Sequence, residues 1–279
     1  MRQILISTGK ILLFLALWAG LTSASLYAAL QVGGEAWFED LRARYVFEVG
    51  AALGAFLALM IMAFLIDKRG WGTLGLRLSA APMGLILGAL IGAIIFAIPL
   101  LILMAMGAAQ FAPDFGRFTS TALFAGLGLC LFNVFNQQLL VRSYIFQELW
   151  AKYGAWTAAI VTTVIFVALH AGPIASGPLG IVAGLNVALA SLMLSFAYVR
   201  TRQLWLPIGI HFGWNGLQGP ILHINVTGAD IALGDWRVFT FNGPDLWTGG
   251  ALGVEGGLAG LAGPLVGFAL VMLLTKKAV

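Results

Sequence analysis

Eight apolar runs, each close to the ~20 residues a helix needs to cross a bilayer, decide what this chain can fold into. They cover about 10–31, 46–66, 83–109, 118–137, 155–171, 179–199, 204–225 and 258–275. The fourth is expected to continue as helix past Arg142 toward Trp150. The third is long and the fifth short, which predicts tilt or a partial break. Composition agrees: 61% of residues are hydrophobic and 9% charged, whereas a soluble domain carries ~25% charged residues. The 36 glycines suit closely packed membrane helices. The expected fold is all-α, a polytopic membrane protein of about eight transmembrane helices forming a single integral membrane domain over 1–279. The first run has features of a signal peptide, with Arg2 and Lys10 at its start and Ser23-Ala24-Ser25 resembling a cleavage site. Hydrophobicity continues through Leu26, Tyr27, Leu30 and Val32, so it reads as a retained helix.

With the N-terminus in the cytoplasm, the inside segments hold 11 Lys and Arg and the outside segments 4, the asymmetry expected of cytoplasmic loops. Both termini then face the cytoplasm. The longest connection, 226–257, becomes an external, structured, glycine-rich loop in which Asp245 and Glu255 read as loop residues. The net charge of +4 is scattered in pairs and forms no basic stripe, which excludes a nucleic-acid partner. The single cysteine, Cys130, excludes an internal disulfide framework or a Cys-based zinc cluster and reads as a packing residue.

Three segments place chemically capable side chains inside apolar sequence: Gln137-Gln138 with Arg142, Phe166 with His170, and His211 with Asn215. Polar groups at membrane depth are costly and mark functional sites. Gln138 and Arg142, Phe166 and His170, and His211 and Asn215 are each i,i+4 pairs sharing a helix face. The last pair sets an imidazole beside a carboxamide, both able to donate hydrogen bonds to a developing oxyanion. The plainer alternative is that these groups bond to one another and join helices. Where acid–base chemistry wants a carboxylate, the first segment has two amides.

The chain resembles the CPBP intramembrane protease family, which includes the CAAX prenyl endopeptidases and the bacteriocin-immunity-like members. That family carries Glu-Glu-x-x-x-Arg, then Phe-x-x-x-His, then His-x-x-x-Asn on successive membrane helices. Arg142, Phe166, His170, His211 and Asn215 match it, as do the surrounding Arg142-Ser143-Tyr144 and Leu204-Trp205-Leu206-Pro207. Thr248-Gly249-Gly250 and Glu255-Gly256-Gly257 are similar to a downstream stretch of bacterial members, so the resemblance covers about 118–257. It implies a CAAX-protease-like bundle in a bacterial inner membrane, cleaving a hydrophobic or prenylated peptide by attack of an activated water near the cytoplasmic face. Carried over, the activating role falls on Gln137 in place of a glutamate. Arg142 would orient residues 137 and 138, His170 would position water or substrate, and His211 and Asn215 would stabilise the oxyanion. Phe166 and Trp214 would line the substrate site.

Gln137 and Gln138 depart from the family's Glu-Glu, and a neutral amide cannot take a proton from water. The chain is therefore expected to be catalytically impaired, as a natural pseudoenzyme or an inactive variant. A non-catalytic membrane peptide-binding or immunity protein is the first alternative and a transporter the second. No metal and no cofactor is expected, and His223 reads as structural. One tension stands: at ~1.5 Å per residue, His211 is about 10 Å into its helix from Leu204, whereas His170 is about 24 Å from Gly154.

Overall fold

Apolar helices pack side by side in a computed structural model that describes residues 2–116, 118–175 and 177–276. Arg117 and Lys277, counted in the charge asymmetry, lie outside the described residues. Helix α1 spans Arg2–Gly33, and α2 spans Leu41–Met60 and widens into a π turn at Ile61–Ile66. Helix α3 is Ala81–Ala105. Helix α4, Ser120–Gln138, runs through π turns at Leu139–Ile145 into α5, Phe146–Ala168. A short α6, Ala171–Ile174, precedes α7, Pro178–Thr201. Helix α8, Trp205–Gly216, continues in a π turn to Ile221. After a long connection containing α9, Asp245–Thr248, the described chain ends on α10, Ala262–Leu274.

Among the described residues, five helices are long and apolar enough to cross a membrane: Arg2–Ala36, Leu41–Ile66, Trp71–Ala105, Ser120–Ala168 and Pro178–Thr201. The protein is therefore a mostly helical membrane protein. The fourth and fifth apolar runs share one of these helices, Ser120–Ala168, as the expected continuation past Arg142 required. The break falls at Gly154, whose φ of 85° and ψ of 164° leave the helical region. A side chain disfavours that conformation, so the glycine separates the two runs. The last run is a shorter helix, Leu258–Leu274.

All-α is not the whole of the fold. A two-stranded antiparallel ribbon pairs β1, Ala109–Asp114, with β2, Arg237–Phe241. Phe111 and Phe239 pair directly across it in a T-shaped contact at 5.6 Å. The ribbon ties the long 222–257 connection to the α3–α4 link.

Caps at this end of the bundle come from the sequence. Asp40 accepts hydrogen bonds from the backbone N–H groups of Arg42 and Ala43 at the start of α2. The Arg42 side chain, together with those N–H groups, holds the Asp40 carboxyl down to about 2, so the cap is ionised.

Packing of α8 on α3 sets the site. Gly84, Gly88 and Gly92 of α3 face Gly209 and Gly213 of α8. A Cβ at Gly92 would stand 2.1 Å from the Ile210 carbonyl oxygen, and one at Gly213 2.2 Å from that of Ala89. Small residues let the two backbones touch. On α8 the stripe at 209 and 213 is offset by two residues from His211 and Asn215. About 100° per residue then turns the polar pair away from α3.

The opposite end of the bundle gathers charge. Lys10 pairs with Asp67 at 2.5 Å, and Tyr144 donates to the same carboxylate at 2.9 Å. Lys152 pairs with Glu148 and donates to Ser7 at 2.7 Å. Arg69 donates to Gln147 at 2.5 Å, and the Arg202 guanidinium lies 3.4 Å from the Trp150 ring centre.

Candidate functional site

Arg142 is fully buried, and its hydrogen bonds among the described residues go to neutral groups. Its Nη2 donates to the carbonyl and the hydroxyl of Ser191 on α7, both at 2.9 Å, and its Nη1 donates to Gln138 Oε1 at 3.1 Å. The guanidinium lies 5.0 Å from the centre of the Phe166 ring. Thr163 donates to the Ser191 hydroxyl at 3.0 Å, so α4, α5 and α7 meet at this one side chain.

The proton directions follow from Arg142, which has only donors. The oxygen of the Gln138 amide must face it, so the nitrogen faces His211, 2.8 Å from Nδ1. Nδ1 is then the acceptor and Nε2 carries the proton. Asn215 Nδ2 stands 3.2 Å from that Nε2. With Nε2 protonated, this contact is a hydrogen bond when the Asn215 amide is turned so that Oδ1 accepts, and Nδ2 is left as a further donor. His170 has the other tautomer. Its Nδ1 lies 2.7 Å from the Phe166 carbonyl oxygen, which can only accept, so Nε2 keeps a bare lone pair.

Gln137 belongs to a second chain of amides. Asn133 Nδ2 donates to both Glu48 oxygens, at 3.2 and 3.3 Å, and Asn133 Oδ1 accepts from Gln137 Nε2 at 2.7 Å. Gln137 Oε1 is left buried with no hydrogen-bond partner among the described residues. Gln137 and Gln138 thus do separate jobs, and they do not form one pair oriented by Arg142, as the sequence reading had it.

A cavity of about 530 Å³ joins these groups: Gln137, His170, His211 and Asn215 line it, with Phe166 and Trp214. Gln138 and Arg142 stand behind His211. The cavity resolves the depth tension, because it takes its walls from the C-terminal end of α5 as well as from the middle of α8. It also uses the N-terminal half of α2, the middle of α7 and residues 226–231. It therefore lies toward the bundle end that carries the long connection, away from the Lys10–Asp67 end. The sequence reading put the site toward the end that holds the termini.

Two carboxylates missed by the sequence reading line the same space, Glu48 and Glu255. Glu48 sits within α2. Glu255 had been read as a loop residue, yet it is only 9% exposed. It accepts from Trp214 Nε1 at 2.7 Å and from the Thr227 hydroxyl at 2.5 Å, and burial raises its affinity for a proton. Asn133 had a legible signal, an amide four residues before Gln137. Glu255 had only its place in Glu255-Gly256-Gly257, and its neighbours come from three distant segments.

His223 lies outside the cavity, 3.4 Å from Asp230 and edge-on to Trp236. Among the described residues no group of three or more His, Cys, Asp or Glu could hold a metal ion.

These features define a class: a helical membrane bundle with a polar cavity built from amide, imidazole and guanidinium groups on successive helices. Residues 119–217 match the family model of type II CAAX prenyl endopeptidase Rce1-like proteins. That stretch, which carries all three motifs, belongs to the CAAX-protease-like family. No curated protein and no solved structure matches the chain.

Proposed function

We propose that the chain is an intramembrane endopeptidase of the CAAX-protease-like kind, acting on a hydrophobic or prenylated peptide by attack of an activated water, and that Gln137 and Gln138 impair it. The observation that carries this reading is the shared cavity, which brings Gln137, His170, His211 and Asn215 together from three helices. The His211 Nε2–H, shared with Asn215 Oδ1, and Asn215 Nδ2 supply N–H donors for the oxyanion, and His170 Nε2 accepts from water. Gln137 Oε1 offers an acceptor to a substrate N–H. The cavity wall is largely apolar, as a hydrophobic peptide requires, with Phe166, Leu169 and Trp214 among its members. The bilayer is the other partner.

With both termini in the cytoplasm of a bacterial inner membrane, as the Lys and Arg asymmetry favours, the cavity faces the outer half of the bilayer. A second reading, a non-catalytic peptide-binding or immunity protein, is favoured by the unpartnered acceptor on Gln137 and the absent glutamates.

The test is cleavage of prenylated and unprenylated hydrophobic peptides by the full chain in detergent, for the unaltered protein, Gln137→Glu, Gln138→Glu and both together. General-base assistance is worth ~10²–10⁴-fold, so Gln137→Glu should raise the rate within that range, and the change at 137 should recover more than that at 138. If none of the forms cleaves, while the unaltered chain retains a bound peptide, the binding reading replaces the enzymatic one.

A further inference from the structure

We propose that Glu255 is the carboxylate base of this cavity, standing in for the glutamate that position 137 lacks. This rests on the reading that the cavity hydrolyses a peptide, and it names the group that keeps the impaired enzyme from being inert.

The carboxylate is delivered to the site by a built turn. Asn186 of α7 is buried and donates to the carbonyl oxygens of Glu255 and Gly257 at 2.7 and 3.2 Å. Gly253 has a φ of +78°, and a Cβ there would stand 1.9 Å from the Asn225 carbonyl oxygen, so the chain enters the turn where only glycine fits. The side chain then reaches Trp214 on α8. His211, Trp214 and Asn215 are i, i+3 and i+4, so the residue that binds Glu255 shares a helix face with the oxyanion donors. His170 and Glu255 line the same cavity. Each carboxylate oxygen accepts one hydrogen bond from the protein and retains capacity for another.

Glu48 is the competing carboxylate. Both its oxygens are engaged by the Asn133 amide, and that amide stands between it and Gln137. It lies on α2 and has no bond to the helix that carries the donors. Glu255 has one.

The step balances within the cavity. A water accepts no proton and gives one: its oxygen bonds to the peptide carbonyl carbon as one hydrogen passes to Glu255. Its second hydrogen stays on that oxygen, donated as a hydrogen bond to His170 Nε2. The carbonyl oxygen takes the negative charge, facing His211 and Asn215. When the C–N bond breaks, the proton on Glu255 goes to the leaving nitrogen, and the products are a carboxylic acid and an amine.

The plain structural role for Glu255 is to pin the 254–256 turn to Trp214 and Thr227. Glu255→Gln preserves that pin, since its amide oxygen accepts from Trp214 and its nitrogen donates to the Thr227 hydroxyl, and it removes the base. The experiment measures kcat and KM for the same peptide probes with four full-length forms: unaltered, E255Q, Q137E/Q138E, and the triple variant. A slow turnover by the unaltered chain is expected, with kcat lowered ~10²–10⁴-fold by E255Q at unchanged KM. E255Q should have little effect in the Q137E/Q138E background, where a glutamate at 137 serves as base. Equal losses in both backgrounds mean a pin and overturn the proposal. Turnover by Q137E/Q138E with none by the unaltered chain also overturns it, and leaves the hydrolytic reading standing. No turnover by any form overturns that reading and the proposal with it. Should E255Q fail to fold, Glu255→Asp is compared in the same two backgrounds: a kcat loss confined to the first supports the proposal, and equal losses overturn it.

Discussion

Gln137→Glu alone should destabilise the protein, and Glu48→Gln should rescue it. Asn133 Nδ2 donates to Glu48 at 3.2 and 3.3 Å, while Asn133 Oδ1 accepts from Gln137 at 2.7 Å. A carboxylate at 137 would set two acceptors against each other at that 2.7 Å contact. Turning the Asn133 amide relieves this only by pointing Oδ1 at Glu48. Either way a buried hydrogen bond is lost and an acceptor faces an acceptor, a cost of about 1–3 kcal/mol. With Glu48→Gln as well, the chain can run in reverse: the new amide at 48 donates to Asn133 Oδ1, and Asn133 Nδ2 donates to the new carboxylate at 137. Glu48→Gln alone should cost little, because its amide oxygen can still accept from Asn133. The assay is equilibrium unfolding in mixed micelles for the unaltered chain, both single variants and the double. A coupling energy of about 1–3 kcal/mol in favour of the double is expected, where independent sites add within ~0.5 kcal/mol. Additive energies would refute the assigned hydrogen-bond directions.

Gln138→Glu should move the His211 proton from Nε2 to Nδ1, because a carboxylate can only accept; ¹⁵N chemical shifts of the labelled histidines distinguish the two tautomers, and an unchanged His211 pattern counts against the assignment. For topology, a reporter active only in the cytoplasm should give signal when fused after Val279 and none when inserted within 242–245; the reverse pattern would invert the orientation and put the cavity toward the inner leaflet.

The three motifs were legible because each is an i,i+4 pair within one helix: the spacing alone puts Gln138 beneath Arg142 and His211 beside Asn215. The break between the fourth and fifth runs was legible in the same local way, through Gly154. The rest depends on contacts between distant segments. Ser191, which holds Arg142, is 49 residues away, and Asn133 reaches Glu48 across 85. The ribbon between 109–114 and 237–241 escaped notice because its strands are short and flank long apolar runs. Glu255 is the least local of these. In sequence it is an acidic residue among glycines, which reads as a loop residue, and only the packing of that turn against α7 and α8 makes it a buried carboxylate.

Both amides at 137 and 138 owe their directions to charged groups beside them, Glu48 through Asn133 and Arg142 directly. Glu48 can only accept, so it turns the nitrogen of Asn133 toward itself and the nitrogen of Gln137 toward Asn133, leaving the Gln137 oxygen to the cavity. Arg142 can only donate, so it draws the oxygen of Gln138 and sends the nitrogen to His211. A carboxylate at 137 would confront Asn133, and one at 138 would reverse the His211 tautomer. The glutamines are therefore fitted to their neighbours: Glu48 and Asn133 suit an amide at 137, and the Nε2–H donor on His211 follows from an amide at 138. A site so arranged presents an acceptor at Gln137, a bare imidazole nitrogen at His170 and N–H donors at His211 and Asn215, and the carboxylate best placed to complete it is Glu255, bonded to the indole of Trp214 on the same helix face.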